Sequence, residues 1–290
     1  MKNFLLLLLF LQAAIGGFGQ SDELQFDLSK TYPLDTSATV ILISKNATVN
    51  IVAGSRNDVA LKVHYRASAK GIKLGDTDFK VEVSHPEGNL QIKEVVSGNQ
   101  RVIGKLDKEY TIDLQVPLYA KLDIRGRDDR YHIRNVQQDI RIAVDDAHIE
   151  VYDYAGGELN IIADDGEVQV VGGRGKLHLR LDDADLKILK GEFSQIDYRG
   201  EDGDIYAENS LLSNTLLKFS GDDNMVNLVI TRGGGSFRVQ YDKSKLEYDK
   251  NFRMTNKDRH FTTLALTGSR GKVVIAGDNL KVKLTSPDNK

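Results

Sequence analysis

Leu159 to Val170 reads LNIIADDGEVQV, and the layout of this stretch recurs through the second half of the chain. With Asp165 as the anchor, the same register places anchors at Asp128, Asp146, Asp165, Asp183, Asp202, Asp223 and Lys243, in steps of 18, 19, 18, 19, 21 and 20 residues. Six residues before each anchor stand Leu122, Ile140, Leu159, Leu177, Ile196, Leu217 and Phe237; four before stand Ile124, Ile142, Ile161, Leu179, Tyr198, Phe219 and Val239. Three residues after come Tyr131, Ile149, Val168, Leu186, Ile205, Val226 and Leu246, and five after come Ile133, Val151, Val170, Ile188, Ala207, Leu228 and Tyr248. No member of these four columns is charged, in a chain whose hydrophobic content is only 40%.

The spacing inside each column pair is two, the side-chain period of a β-strand, so each repeat supplies two short strands with one buried face. An acidic turn joins them. The residue after the anchor is small or turn-prone in most repeats (Ala147, Gly166, Ala184, Gly203, Asn224, Ser244), as a tight or left-handed backbone requires. Asp165-Gly166 between alternating strands is also a hairpin signal, which keeps an antiparallel meander closing into a barrel in view. The fixed columns and the variable linking segments favour a stack in which each repeat is one coil and like residues lie on like. The expected fold is all-β, a β-solenoid of about 19-residue coils in the form of a right-handed β-helix.

Of the 290 residues none is cysteine or tryptophan, four are proline and 26 are glycine, and the net charge is −3. Lys2, the apolar run Phe4 to Ile15 and the small-x-small site Gly17-Phe18-Gly19 have the three parts of a secretory signal peptide, with Gln20 first after cleavage. The apolar run is about a dozen residues, shorter than the roughly 20 of a spanning helix, so no membrane span is expected after cleavage. Strands of five or six residues and a polar SPDNK end also disfavour an outer-membrane barrel, whose strands need about 9–11. Without cysteine the exported chain has no disulfide, and its stability rests on its core.

Residues 1–19 are read as the signal peptide, 20–118 as an N-terminal β region containing the first coil, and 119–290 as the solenoid repeats. The first coil anchors on Asn46, with Val40, Leu42, Val49 and Ile51 in the columns. Irregular β follows, with Ala67 to Asp76 reading as a loop, and the strand Tyr110 to Val116 leads into the regular coils. Lys250 to His260 reads as a charged protruding loop. The stack resumes at an anchor on Asn279, with Val273, Ile275, Val282 and Leu284 in the columns.

The early ISKNATVNIV coil, the segment YTIDLQVPLYAKLDI, the repeated DDG-type turns and the closing GSRGKVVIAGDNLKVKL together resemble the bacterial putative-adhesin family, an exported β-strand-repeat domain of unknown function. The resemblance covers essentially the whole mature chain. It implies surface or envelope association and brings no catalytic residues. The doubled acidic turns depart from the single Asn-Gly or Asp-Gly more usual in the family.

Those turns are the chain's unusual chemical feature. Asp145, Asp146, Asp164, Asp165, Asp182, Asp183, Glu201, Asp202, Asp222 and Asp223 fill two adjacent acidic columns, which stacking would align along one edge. Aspartate suits turns, so solvated side chains splayed outward are the plain reading. A Ca²⁺ site is the sharper one, because hard cations take several carboxylate oxygens, although the GGxGxD pattern of calcium-binding β-rolls is absent. A catalytic carboxylate pair is the third, with Arg125, Arg180 and Arg199 sharing one outward column as a grip. The six histidines share no column and show no metal-ligand spacing. There is no P-loop and no G-x-S-x-G elbow, and the acidic balance argues against nucleic acid.

These features point to an exported, non-enzymatic interaction protein in the periplasm or at the surface of a Gram-negative bacterium. Its partner is a protein or glycan of the cell envelope, and no cofactor is needed beyond the Ca²⁺ that the acidic ridge could take. The alternative is a β-helical carbohydrate-active enzyme, a lyase or hydrolase using acids on a coil edge. A groove on a coil face holding convergent carboxylates beside basic grips is the feature that alternative needs.

Overall fold

The structure, a computed structural model, describes residues 22–75, 77–99, 101–242 and 244–287. The leader, its cleavage site and the anchor Lys243 lie outside the described residues. The fold is all-β: one sheet wraps nearly closed around a single core, with one short 3₁₀ turn at Pro86–Gly88. The N-terminal part holds β1 (Asp22–Pro33), β2 (Thr39–Lys45), β3 (Thr48–Gly54), β4 (Asp58–Leu74), β5 (Thr77–Ser84), β6 (Leu90–Gly98) and β7 (Arg101–Pro117). The regular part begins with β8 (Lys121–Arg127), β9 (Asp129–Arg134), β10 (Ile140–Val144), β11 (Ala147–Tyr154), β12 (Glu158–Glu201), β13 (Asp204–Leu211), β14 (Leu216–Asp222) and β15 (Met225–Gly233). It closes with β16 (Gly235–Asp242), β17 (Lys245–Tyr248), β18 (Phe252–Lys257), β19 (Phe261–Leu266), β20 (Gly271–Asp278) and β21 (Lys281–Thr285).

The apolar columns are the pairing register itself. Ile140 pairs in parallel with Leu122 on one side and Leu159 on the other, and Ile142 with Ile124 and Ile161. Past the turn, Ile149 lies between Tyr131 and Val168, and further along Ile205 lies between Leu186 and Val226. Successive repeats therefore lie side by side in parallel, which an antiparallel meander does not allow. The column residues are buried, except at the last repeat in the stack, where Leu246 is partly buried and Tyr248 is 38% exposed. The variable linkers also reach the core, through Val136, Tyr154, Phe193 and Leu211.

The turns differ from the sequence reading in one respect. The anchor itself takes the left-handed conformation at Asn46, Asp128, Asp202, Asp223 and Asn279, with φ between 51° and 57°. Asparagine and aspartate enter this region more easily than other side chains because they bond their own backbone. Among the described residues, only at Gly166, with φ 118°, does the residue after an anchor have positive φ. A second corner, unseen in the sequence, lies at Asn135, Asp153, Gly172 and Lys190, where φ is 52° to 63° and the steps are again 18, 19 and 18 residues.

Both ends of the stack depart from chain order. The repeat built on Asn279 is not terminal: β20 lies between β14 and β16, and β21 between β15 and β17. The segment read as a protruding loop makes this possible. β18 and β19 form an antiparallel hairpin, β19 pairs with the outer edge of β16, and the chain returns beneath it as β20. At the other end the first coil lies between the regular repeats and the irregular strands, β2 between β8 and β6, and β3 between β9 and β7. Ala67 to Leu74, read as a loop, continues β4, which pairs with β7 along its length and with β1 on its other side. Phe79 of β5 stacks on Tyr65 of β4 at 3.7 Å between centroids and meets Phe26 and Tyr110 edge-on, forming an aromatic layer that closes this end.

Candidate functional site: the acidic ridge and its groove

The turn after each first strand carries the acidic pair outward. Asp146, Asp164, Asp165, Asp182, Asp183, Glu201, Asp202, Asp222 and Asp223 are exposed, and Asp145 is half-buried in an ion pair with Arg127. The two columns stand in register. Asp164 is pushed above the usual carboxylate range by partial desolvation and then by Asp145 and Asp182 on either side, with Arg180 opposing. Asp165 is pushed up in the same way, by desolvation and then by Asp146 and Asp183. Glu201 pairs directly with Asp222 across the ladder. Asp278 follows in the next repeat; its N–H donates to the Asp222 carboxylate at 2.8 Å, and Asn279 donates to Asp223. Among the described residues no group of three or more His, Asp or Glu side chains is arranged to hold a metal ion.

Beside the ridge a shallow groove of about 530 Å³ crosses four repeats. Arg180 and Arg199 stand on one side, Asp182, Glu201 and Asp222 on the other, and Gly200, Gly221 and Gly277 form part of the floor. A Cβ at Gly277 would run into the Gly221 carbonyl, and one at Gly221 into the Gly200 carbonyl, so these two positions require glycine for adjacent repeats to close. The structure thus joins two members of the arginine column in one groove. It keeps the third apart: Arg125 is held by Asp123 in its own repeat at 2.7 Å.

Two polar clusters were missed in the sequence. His132, His148 and Tyr152 converge on Glu150 at 2.9, 3.1 and 3.0 Å, and His148 also reaches Glu167 at 3.3 Å. Burial alone would raise Glu150, but hydrogen bonds from both histidines and the tyrosine outweigh it and hold the carboxyl at about 2. The histidines share no column, yet the parallel register sets His132 beside Glu150 and His148 beside Glu167. Reading outward residues across repeats, 18 and 19 positions apart, would have found them. The second cluster surrounds Asp129, 2% exposed, which accepts from the Ala47 N–H at 2.6 Å, Tyr131 Oη at 2.6 Å, Ser44 Oγ at 3.1 Å and the Arg127 N–H at 3.2 Å.

No family model and no curated protein matches the chain. Solved structures do. A protein of Parabacteroides distasonis named a putative adhesin matches over 92% of this chain and 98% of its own, at 10% identity and a TM-score of 0.49. One of Bacteroides fragilis with the same name matches over 90% and 97%, at 9% identity and a TM-score of 0.42. One of Parabacteroides merdae, also so named, matches over 90% and 95%, at 7% identity and a TM-score of 0.37. The chain is similar to bacterial proteins named as adhesins. Their names agree with the resemblance carried by the sequence motifs. Among the described residues no helix is long and apolar enough to cross a membrane.

Proposed function

We propose that this chain is an exported β-solenoid that acts as an adhesin-type interaction protein of the cell envelope, and that it binds a protein or glycan without chemical change. The groove beside the acidic ridge carries the reading. It is open along its length, crosses four repeats and mixes two guanidinium groups with three carboxylates over a glycine floor. Such a surface fits an extended polar polymer lying across the repeats better than a small molecule enclosed on all sides. The parallel ladder holds these groups at the spacing of the strands, so the surface is preorganised. Arg180→Ala with Arg199→Ala, both exposed, should leave the fold intact and weaken capture of envelope glycans or proteins at least tenfold. Unchanged capture would remove the groove from this role. The leader supports export, and a native N-terminus at Gln20 is its check.

The same groove favours a second reading, because carboxylates beside basic grips are also what a β-helical enzyme acting on polysaccharide needs. Release of new reducing or unsaturated ends from an acidic polysaccharide, lost in Glu201→Gln, would establish it over simple binding.

A further inference from the structure

Among the described residues β1 pairs only with β4, so one edge of a 12-residue strand is open. Its core-facing side chains Leu24, Phe26, Leu28 and Tyr32 pack on the core yet stay only half-buried. Proteins normally guard such an edge with outward charge, short length or a covering segment. Here two of the guards are directed elsewhere, Glu23 paired to Arg66 at 2.5 Å and Asp27 to His64 at 2.8 Å, both across the ladder on β4, which leaves Lys30, exposed, as the charge near the far end of the strand. The other open strands differ. β5 is eight residues long and sets Asp78, Lys80 and Glu82 in alternation, β17 has four residues with Lys245 and Glu247, and β18 exposes Arg253 and Lys257.

We propose that β1 is the face through which two copies of this chain pair, edge to edge and antiparallel about a twofold axis at Phe26. Side chains facing one another across an antiparallel pair share a face, so only registers that keep Leu24, Phe26 and Leu28 on the core side qualify. A dyad at Asp27 sets that aspartate against its own copy. A dyad at Leu28 sets Phe26 against Lys30. With the dyad at Phe26, Phe26 meets Phe26 and Leu24 meets Leu28, while on the outer face Gln25 meets Asp27 and Glu23 meets Ser29. No like charges meet across these pairs, and the half-covered apolar row is completed by its own copy. An isologous contact of this kind closes at two copies, because each edge is used once.

The register makes the test specific. In Gln25→Glu with Ser29→Glu, new carboxylates face Asp27 and Glu23 on both sides of the dyad; in Gln25→Lys with Ser29→Lys, the same positions face them with opposite charge. Both positions are exposed, and thermal melts by circular dichroism confirm that each variant folds. Protein purified from an exporting host is measured by sedimentation equilibrium across a concentration series. The expected result is a wild-type dimer, at least tenfold weaker association in the glutamate variant, and association kept or strengthened in the lysine variant. A wild type that is monomeric throughout the series overturns the proposal. So does a dimer that responds alike to both variants, since its contact would then lie elsewhere.

Discussion

Asp129 stands where most repeats place a small residue, and the structure gives the reason: its side chain ties the turn of the first coil to the first regular repeat. It is buried and accepts four hydrogen bonds from two segments of chain, Ser44 and Ala47 in one and Arg127 and Tyr131 in the other. Asp129→Ala strands buried donors, each worth about 1–3 kcal/mol when left unpaired, so a loss of about 3 kcal/mol or more is expected in urea melts. Glu150 works in the opposite sense, at the surface. Its folded carboxyl titrates at about 2, below the ordinary glutamate value, so its contribution is present above about pH 4.3 and fades as pH falls toward 2. Between those limits Glu150→Gln should show a shallower loss of stability on acidification than the wild type, with the two curves converging at pH 2. Parallel curves would mean that the His132–Glu150–His148 cluster is not held in solution.

At the scale of elements, the strands were legible and the turn chemistry only partly so. Ile140, Ile142, Ile149 and Val151 declare their buried face through a period of two, and the constant step between repeats declares their neighbours. The second corner at Asn135, Asp153, Gly172 and Lys190 was not legible, because left-handed backbone there is met by four different residue types with no shared composition. The acidic columns lie in register, and their chemistry is open to test. Asp164 and Asp165 are raised by desolvation and by their acidic neighbours, so the ionised ridge opposes folding at neutral pH, and its cost shrinks as salt screens it. Sodium chloride should therefore stabilise the protein, with calcium giving no more than its ionic strength explains, and Asp164→Asn with Asp165→Asn should raise the melting temperature and flatten the salt response. A calcium-specific rise that this double variant abolishes would instead make the ridge a cation site, by the mass action of a ligand that binds only the folded state.

For the whole molecule, sequence order misleads at the C-terminal end. Each repeat states its own register, but nothing in the columns of Val273, Ile275, Val282 and Leu284 says which repeat they lie against. That is decided by the hairpin of β18 and β19; β18 is hidden in a charged stretch, with Phe252 buried while Arg253 and Lys257 stay in solvent, and β19 turns Thr262, Leu264 and Leu266 inward. The consequence is a molecule whose last residues bind its penultimate repeat to the rest. β16 and β17 reach the stack through β20 and β21, with no ladder of their own to β14 or β15 among the described residues. Deleting the chain from Gly271 onward therefore removes an interior layer. It uncovers Leu217, Phe219, Val226 and Leu228, side chains worth about 1.5–3 kcal/mol each when buried, and leaves β16 to β19 unattached. The truncated protein should lose on the order of 5 kcal/mol or fail to fold, and limited proteolysis should cut first between Gly235 and Leu266. If repeats stacked in chain order, the same deletion would trim one terminal coil, and Gly235 to Tyr248 would stay protected. A truncated protein that melts near the wild-type temperature, with that segment resistant to protease, would show that the last repeat is a cap and not an inserted layer.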